Sequence, residues 1–158
     1  MISQFFNAKN TGNVLFRNIE DGTGTTPYVT ASAYNNGVVA YIDAGKYHTM
    51  KGGCILVGGK TFALTYQKND FISNDSHNFT LTLKIPEIGS EDLYLFLLTI
   101  IRSSLSYKYT WGDAVTKEKI INDEILLPIK QNGDPDWEFM VAYIKHRKKE
   151  IRKIGCIP

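Results

Sequence analysis

The chain has only two cysteines in 158 residues, Cys54 and Cys156, and they form neither a CxxC pair nor a Cys/His cluster. That excludes a disulfide framework and leaves no zinc site to argue for. Histidine is equally scarce. His48, His77 and His146 have no cysteine or carboxylate at ligand spacing, so each reads first as a loop or surface residue, and neither a metal nor a cofactor is expected. No basic-then-apolar leader is read at Met1-Ile2-Ser3-Gln4. The most apolar stretch, Leu93 to Leu105, is interrupted by Arg102 and falls short of the ~20 residues a membrane span needs. A cytoplasmic domain with no membrane association is the expectation. Repeats and low-complexity tracts are also missing.

The body lacks a basic stripe as well. Residues 1–144 hold 12 Lys/Arg against 15 Asp/Glu, while residues 145–158 hold 6 against 1, within an overall charge of +2. A protein that grips nucleic acid alone usually carries clustered cations on its reading face. Phosphate contacts here are therefore expected to be weak or supplied by a partner.

What is present is an ordinary globular composition, 43% hydrophobic and 22% charged, at a length that fits one domain. Short β-type runs dominate the first half. Tyr28 to Ala31 and Val38 to Ile42 read as strands, and Phe79, Leu81 and Leu83 alternate with Thr80, Thr82 and Lys84 as a half-buried one. Ile55-Leu56-Val57 faces the alternating Phe62, Leu64 and Tyr66 across Gly58-Gly59-Lys60, which predicts a hairpin. Polar loops are expected at residues 21–26 and 69–78.

Helices follow. Ser90 is placed to cap a buried helix whose first turn carries Glu91 and Asp92. A short helix is predicted near Lys117–Asn122, and Asp134-Pro135 should start a final helix ending at Gly155, with Pro158 beyond. The fold class expected is α+β: a twisted, mainly antiparallel sheet with a buried helix and a C-terminal helix.

Catalytic motifs fail when tested. Gly59-Lys60-Thr61 ends like a phosphate-binding loop, but Cys54 stands where the first glycine is required. Asp134-Pro135-Asp136-Trp137 lacks the second proline of an adenine methyltransferase motif, and no glycine-rich cofactor loop precedes it. Pro135-Asp136 followed by Glu138 has no lysine two residues on, so a nuclease centre fails too. Ser73, Ser76 and His77 share a loop in which nothing orients a base.

Recognition remains. Asn and Gln read adenine edges, Arg and Lys read guanine, and Ser and Thr read either. The loops offer Thr30, Ser32, Tyr34, Asn35 and Asn36; Lys46, Tyr47 and His48; Lys60; Tyr66, Gln67 and Lys68; Ser73, Asn74 and His77; and Lys108. Each has a plainer reading: Asn35 and Asn36 before Gly37 as turn-formers, the lysines as solvated charges, the tyrosines beside Lys108 as core. As DNA-binding candidates, these side chains are expected to gather into one cleft.

The order of these pieces resembles a known family. Tyr28-Val29-Thr30 leading to Asn35-Asn36-Gly37-Val38, Lys51-Gly52 before Cys54-Ile55-Leu56-Val57, Tyr66-Gln67, Phe71, the run from Leu93 to Ile101, Glu124 to Ile129, and Pro135 to Met140 with Tyr143-Ile144 carry the likeness. Together they resemble the target recognition domain of type I restriction-modification specificity subunits, the Methylase_S family. The resemblance implies sequence-specific recognition of double-stranded DNA, without catalysis, on behalf of a partner DNA adenine methyltransferase or endonuclease. It also implies that residues 1–133 form the recognition domain and 134–155 the truncated start of a spacer helix.

That helix carries Trp137, Met140, Ile144, Arg147, Ile151 and Ile154 at 3-4 spacing, a seam for a partner or a homodimer, or equally for the helix's own domain. Its basic residues, Lys145 to Lys153, read first as a solvated face. The alternative function is a protein-interaction module that binds or competes for restriction-modification subunits without reading DNA. A carbohydrate-binding module is suggested only by loop Tyr, Trp and Asn, and Trp111 and Trp137 lie near helix ends where core packing suffices.

Overall fold

The computed structural model describes residues 1–110 and 112–155, so Trp111, Cys156 and Pro158 lie outside the described residues. The predicted α+β class holds, but the β layer is two sheets, not one. The first is antiparallel throughout and ordered β1-β7-β4-β5, from β1 (Phe6–Asn10), β7 (Phe79–Leu83), β4 (Cys54–Val57) and β5 (Leu64–Gln67). The second is ordered β3-β2-β6, from β3 (Val38–Ile42), β2 (Thr26–Val29) and β6 (Ile72–Ser73). Its β2–β6 pair is parallel.

Strand alternation sorts the side chains into layers. Ile55, Val57, Leu64, Phe79, Leu81 and Leu83 share a core with α1 (Glu91–Leu105), whose Leu93, Leu97 and Ile101 are fully buried. On the opposite face Cys54 and Leu56 pack with Val29, Met50 and Phe71, which joins the two sheets. A third cluster of Tyr28, Ala40, Ile42 and Ile72 lies beyond, covered by Val14, Ile19, Ala44 and Tyr47. Because both faces of the first sheet are covered near β4 and β5, the polar Thr65 and Gln67 are buried there.

Ser90 caps α1 as predicted, its hydroxyl accepting from the Leu93 N–H at 3.2 Å. The hairpin also forms, with one correction. Phe62 leaves the strand alternation at φ +51 and turns under the hairpin, where its ring sits 5.1 Å from that of Tyr109. A short helix, α2, spans Lys117–Ile120.

The last helix, α3 (Trp137–Lys153), starts two residues later than Asp134-Pro135 suggested. Asp134 and Pro135 belong to a turn closed by Lys130 N–H to Asp134 C=O and by an Ile129–Pro135 bridge. The cap is Asp136, whose carboxylate accepts from Phe139 N–H at 3.0 Å. Gly155 follows at φ +71, the left-handed residue that ends a helix.

The first half of α3 packs on its own domain. Met140 is fully buried, Trp137 meets Phe5 edge-on at 5.5 Å, and Tyr143 meets Phe96 at 5.8 Å. The Lys148 ammonium lies 2.7 Å from Asp92 and 2.8 Å from Glu91 at the start of α1. Asp92 Oδ1 is buried without an aligned hydrogen bond, so that ammonium is its charge partner. The closeness of Asp92, then of Glu91, pushes the Lys148 ammonium upward in pKa.

Candidate nucleic-acid interface

Three loops meet at one end of the sheets: residues 31–34 after β2, the β4–β5 turn at 58–63, and the 74–78 loop before β7. They touch through backbone. Thr61 Oγ1 donates to Ala31 C=O at 2.9 Å, and a Cβ on Gly59 would lie 2.3 Å from the His77 carbonyl oxygen.

Asp75 organises this crest. One oxygen accepts from His77 N–H at 2.9 Å and lies 2.7 Å from His77 Nδ1, and the other takes Lys60 Nζ at 3.1 Å. Burial alone would raise the Asp75 carboxyl, but the His77 and Lys60 hydrogen bonds hold it down at about 2. Beneath, Thr11 Oγ1 lies 2.9 Å from Ser73 Oγ, and Asn78 donates to Ser73 and Asn74 at 3.2 Å each. The exposed tips of the crest therefore stand on a network that fixes their backbone.

Two depressions flank the β4–β5 turn. One, of about 580 Å³, lies between Ser32, Tyr34, Thr61, Arg102 and Tyr109. The other, of about 210 Å³, is lined by Asn10, Lys60, Ser76, His77 and Lys117.

The expected single cleft is not what the fold builds. Ser32, Lys60, Asn74 and His77 come together on the crest, with Tyr34 87% exposed beside them. Lys46 and Tyr47 line a separate depression over the second sheet, where the ammonium sits 5.2 Å from the Tyr47 ring centre. His48 lines a third place, against the free face of β1.

Several candidates are structural as placed. Gln67 is 3% exposed, its amide donating to Asn36 C=O and Thr65 Oγ1 at 2.9 Å each. Ser73 is 1% exposed, and Tyr66 stacks on Tyr94 at 5.3 Å. Thr30 bonds back to Gly37 C=O. Asn35 and Asn36 both take positive φ, 46° and 52°, and their amides donate to Val38 C=O and Tyr66 C=O. The turn-forming reading describes them, although both side chains stay exposed.

Two lysines are tied inward. Lys68 pairs with Glu91 at 3.6 Å, and Lys108 binds Asp123, which also accepts from Tyr109 OH. The seam divides too. Trp137, Met140 and Ile144 face the domain core, Ile151 is half-buried and Ile154 is 72% exposed.

Residues that sequence reading passed over lie on the uncovered part of the first sheet. Register pairs Asn7 with Thr82 and Lys9 with Thr80, and with His48 and Lys51 they line a shallow groove. The signal was available in the alternation of Asn7 and Lys9 against Phe6 and Ala8.

Bond chemistry finds little footing. Among the described residues no group of three His, Cys, Asp or Glu side chains is placed to hold a metal. Burial, helped by Asp70, pushes the Cys54 thiol up to about 12, far from a reactive thiolate. Asp75 and His77 have the form of an orienting acid and a base, yet among the described residues no hydroxyl or thiol bonds the other ring nitrogen.

The chain has clear relatives. Residues 1–154 match the family described as type I restriction modification DNA specificity domain. The specificity subunit S.BcgI of a type II restriction enzyme from Heyndrickxia coagulans is 29% identical over 144 residues, covering 90% of this chain and 40% of that protein. The HsdS subunit from Thermoanaerobacter tengcongensis superposes with a TM-score of 0.65 at 14% identity, over 96% of this chain and 37% of that one. The type I S subunit from M. genitalium gives 0.58 at 10%, over 96% and 40%. The chain thus spans about two fifths of the length of these proteins. It belongs to the type I restriction modification DNA specificity domain family, as a target-recognition domain.

Proposed function

We propose that this domain reads one short segment of double-stranded DNA and directs a partner adenine methyltransferase or endonuclease to it. The observation that carries the reading is the crest, where Ser32, Tyr34, Lys60, Asn74 and His77 stand on backbone locked by the Asp75 and Thr11 networks. Polar tips on a fixed frame favour discrimination between base edges, because a mobile tip loses its ordering entropy on every contact. Asn35 and Asn36 follow Tyr34 directly, with side chains exposed at the margin of the crest. Residues 1–133 act as the reading body and 134–155 as the extension toward a partner or a second copy. The first turns of that helix also complete the body's core.

Binding to random-sequence duplex, followed by fluorescence anisotropy across a salt series, tests the reading. A DNA reader loses affinity steeply as salt rises. Flat or absent binding would leave the interaction-module alternative. Co-expression with the methyltransferase subunit and methylome sequencing then tests the partner, with one new modified motif expected.

A further inference from the structure

Seven of the twelve lysines and arginines before residue 145 are ion-paired to carboxylates: Lys51, Lys60, Lys68, Lys108, Lys117, Lys119 and Lys130. Arg102 points its guanidinium at Leu64 C=O. Among the described residues, that leaves Lys9, Arg17, Lys46 and Lys84 without an ion pair. The net charge of the body hides this division, because a neutralised lysine and a free one count alike.

Two of the four lie along one strip. Lys9 projects from β1 onto the sheet face turned away from α1, beside Asn7, Thr80 and Thr82. Lys84 follows Thr82 by two residues and extends the β1–β7 ladder through its N–H to Phe5 C=O. His48 and Lys51 wall the groove. No carboxylate lines this groove, and Asp70 holds Lys51 at 2.7 Å. Arg17 and Lys46 are different. They share a depression with Glu20 and Asp43, which would repel a phosphate.

We infer that the β1–β7 face is a backbone-gripping track, taking the phosphodiester strand of a duplex through Lys9 and Lys84. The inference rests on the DNA-reading function and locates its sequence-independent part away from the crest. Strand geometry suits the task. Along the ladder, Lys84 stands four residues beyond Thr80, the partner of Lys9, which separates the two cations by about 13 Å on one face. Lys, Thr and Asn side chains are ordinary phosphate contacts.

The test uses the whole chain and random-sequence duplex. Each cation that meets a phosphate adds about 0.9 to the slope of log affinity against log salt. The variant Lys9→Gln/Lys84→Gln should lower that slope by about 1 to 2. Lys119→Gln/Lys130→Gln, which removes paired lysines, should leave it unchanged. A slope unaltered by Lys9→Gln/Lys84→Gln, or lost instead in Lys145→Gln/Lys149→Gln/Lys153→Gln, would overturn the track while the reading function stands. Absence of salt-dependent binding by the unaltered chain would remove both.

Discussion

Gly59 and His77 are in backbone contact: a methyl group on Gly59 would stand 2.3 Å from the His77 carbonyl oxygen and 3.0 Å from its carbon. No real Cβ tolerates that approach, so the β4–β5 turn and the 74–78 loop are held together by the absence of a side chain. Gly59→Ala should part the crest loops and destabilise the domain by about 1–3 kcal/mol. Urea unfolding monitored by circular dichroism measures it. A loss below a few tenths would mean that the loops are not seated on one another.

Acid should loosen the same place. Asp75 falls from an ordinary 3.8 to about 2 in the folded chain, so its stabilisation is complete above the unfolded value. It fades as pH drops from about 4 through 2 and amounts to about 2 kcal/mol for a carboxylate a quarter exposed. Asp75→Asn should remove that pH dependence and free Lys60 and His77 to move. Matched acid titrations of both proteins by fluorescence would show it, and coincident curves would contradict the assignment.

Gln67 was a candidate base reader and is now a buried tie between β5 and the Asn36 turn. Gln67→Ala is expected to cost about 1–3 kcal/mol of stability by leaving buried partners unsatisfied. Duplex affinity at saturating fold should hardly change. The opposite pattern, weaker binding at full stability, would return Gln67 to the reading surface.

Met140 separates the two roles of α3. It is fully buried in the α1 core, so Met140→Ala should cost about 2–5 kcal/mol in this chain alone. Thermal unfolding suffices to measure it. A near-neutral result would mean that the helix needs a partner to be packed.

Much of the scaffold was legible because hydrophobic period reports burial directly. The α1 core stripe, the β4–β5 hairpin and the Phe79–Leu83 strand all follow from it. The second sheet escaped for a physical reason. Its β6 is two residues long and pairs in parallel with β2 through contacts distant in sequence. Period two also says nothing about whether a second layer covers a strand's polar face, which is why Gln67 and Ser73 were offered to DNA while buried. Asn35 and Asn36 were ambiguous until their positive φ showed the turn. Ion pairing is the last gap. Whether Lys60 or Lys9 is free depends on Asp75 lying next to one and no carboxylate next to the other, and no local pattern encodes that.

Selection of bound fragments from a randomised duplex library, followed by sequencing, tests the central claim most directly. The account predicts enrichment of one short motif, weakened by Lys60→Ala and His77→Ala but retained in the Lys9 and Lys84 variants at reduced overall affinity. Recovery of bound duplexes with no shared motif would contradict it.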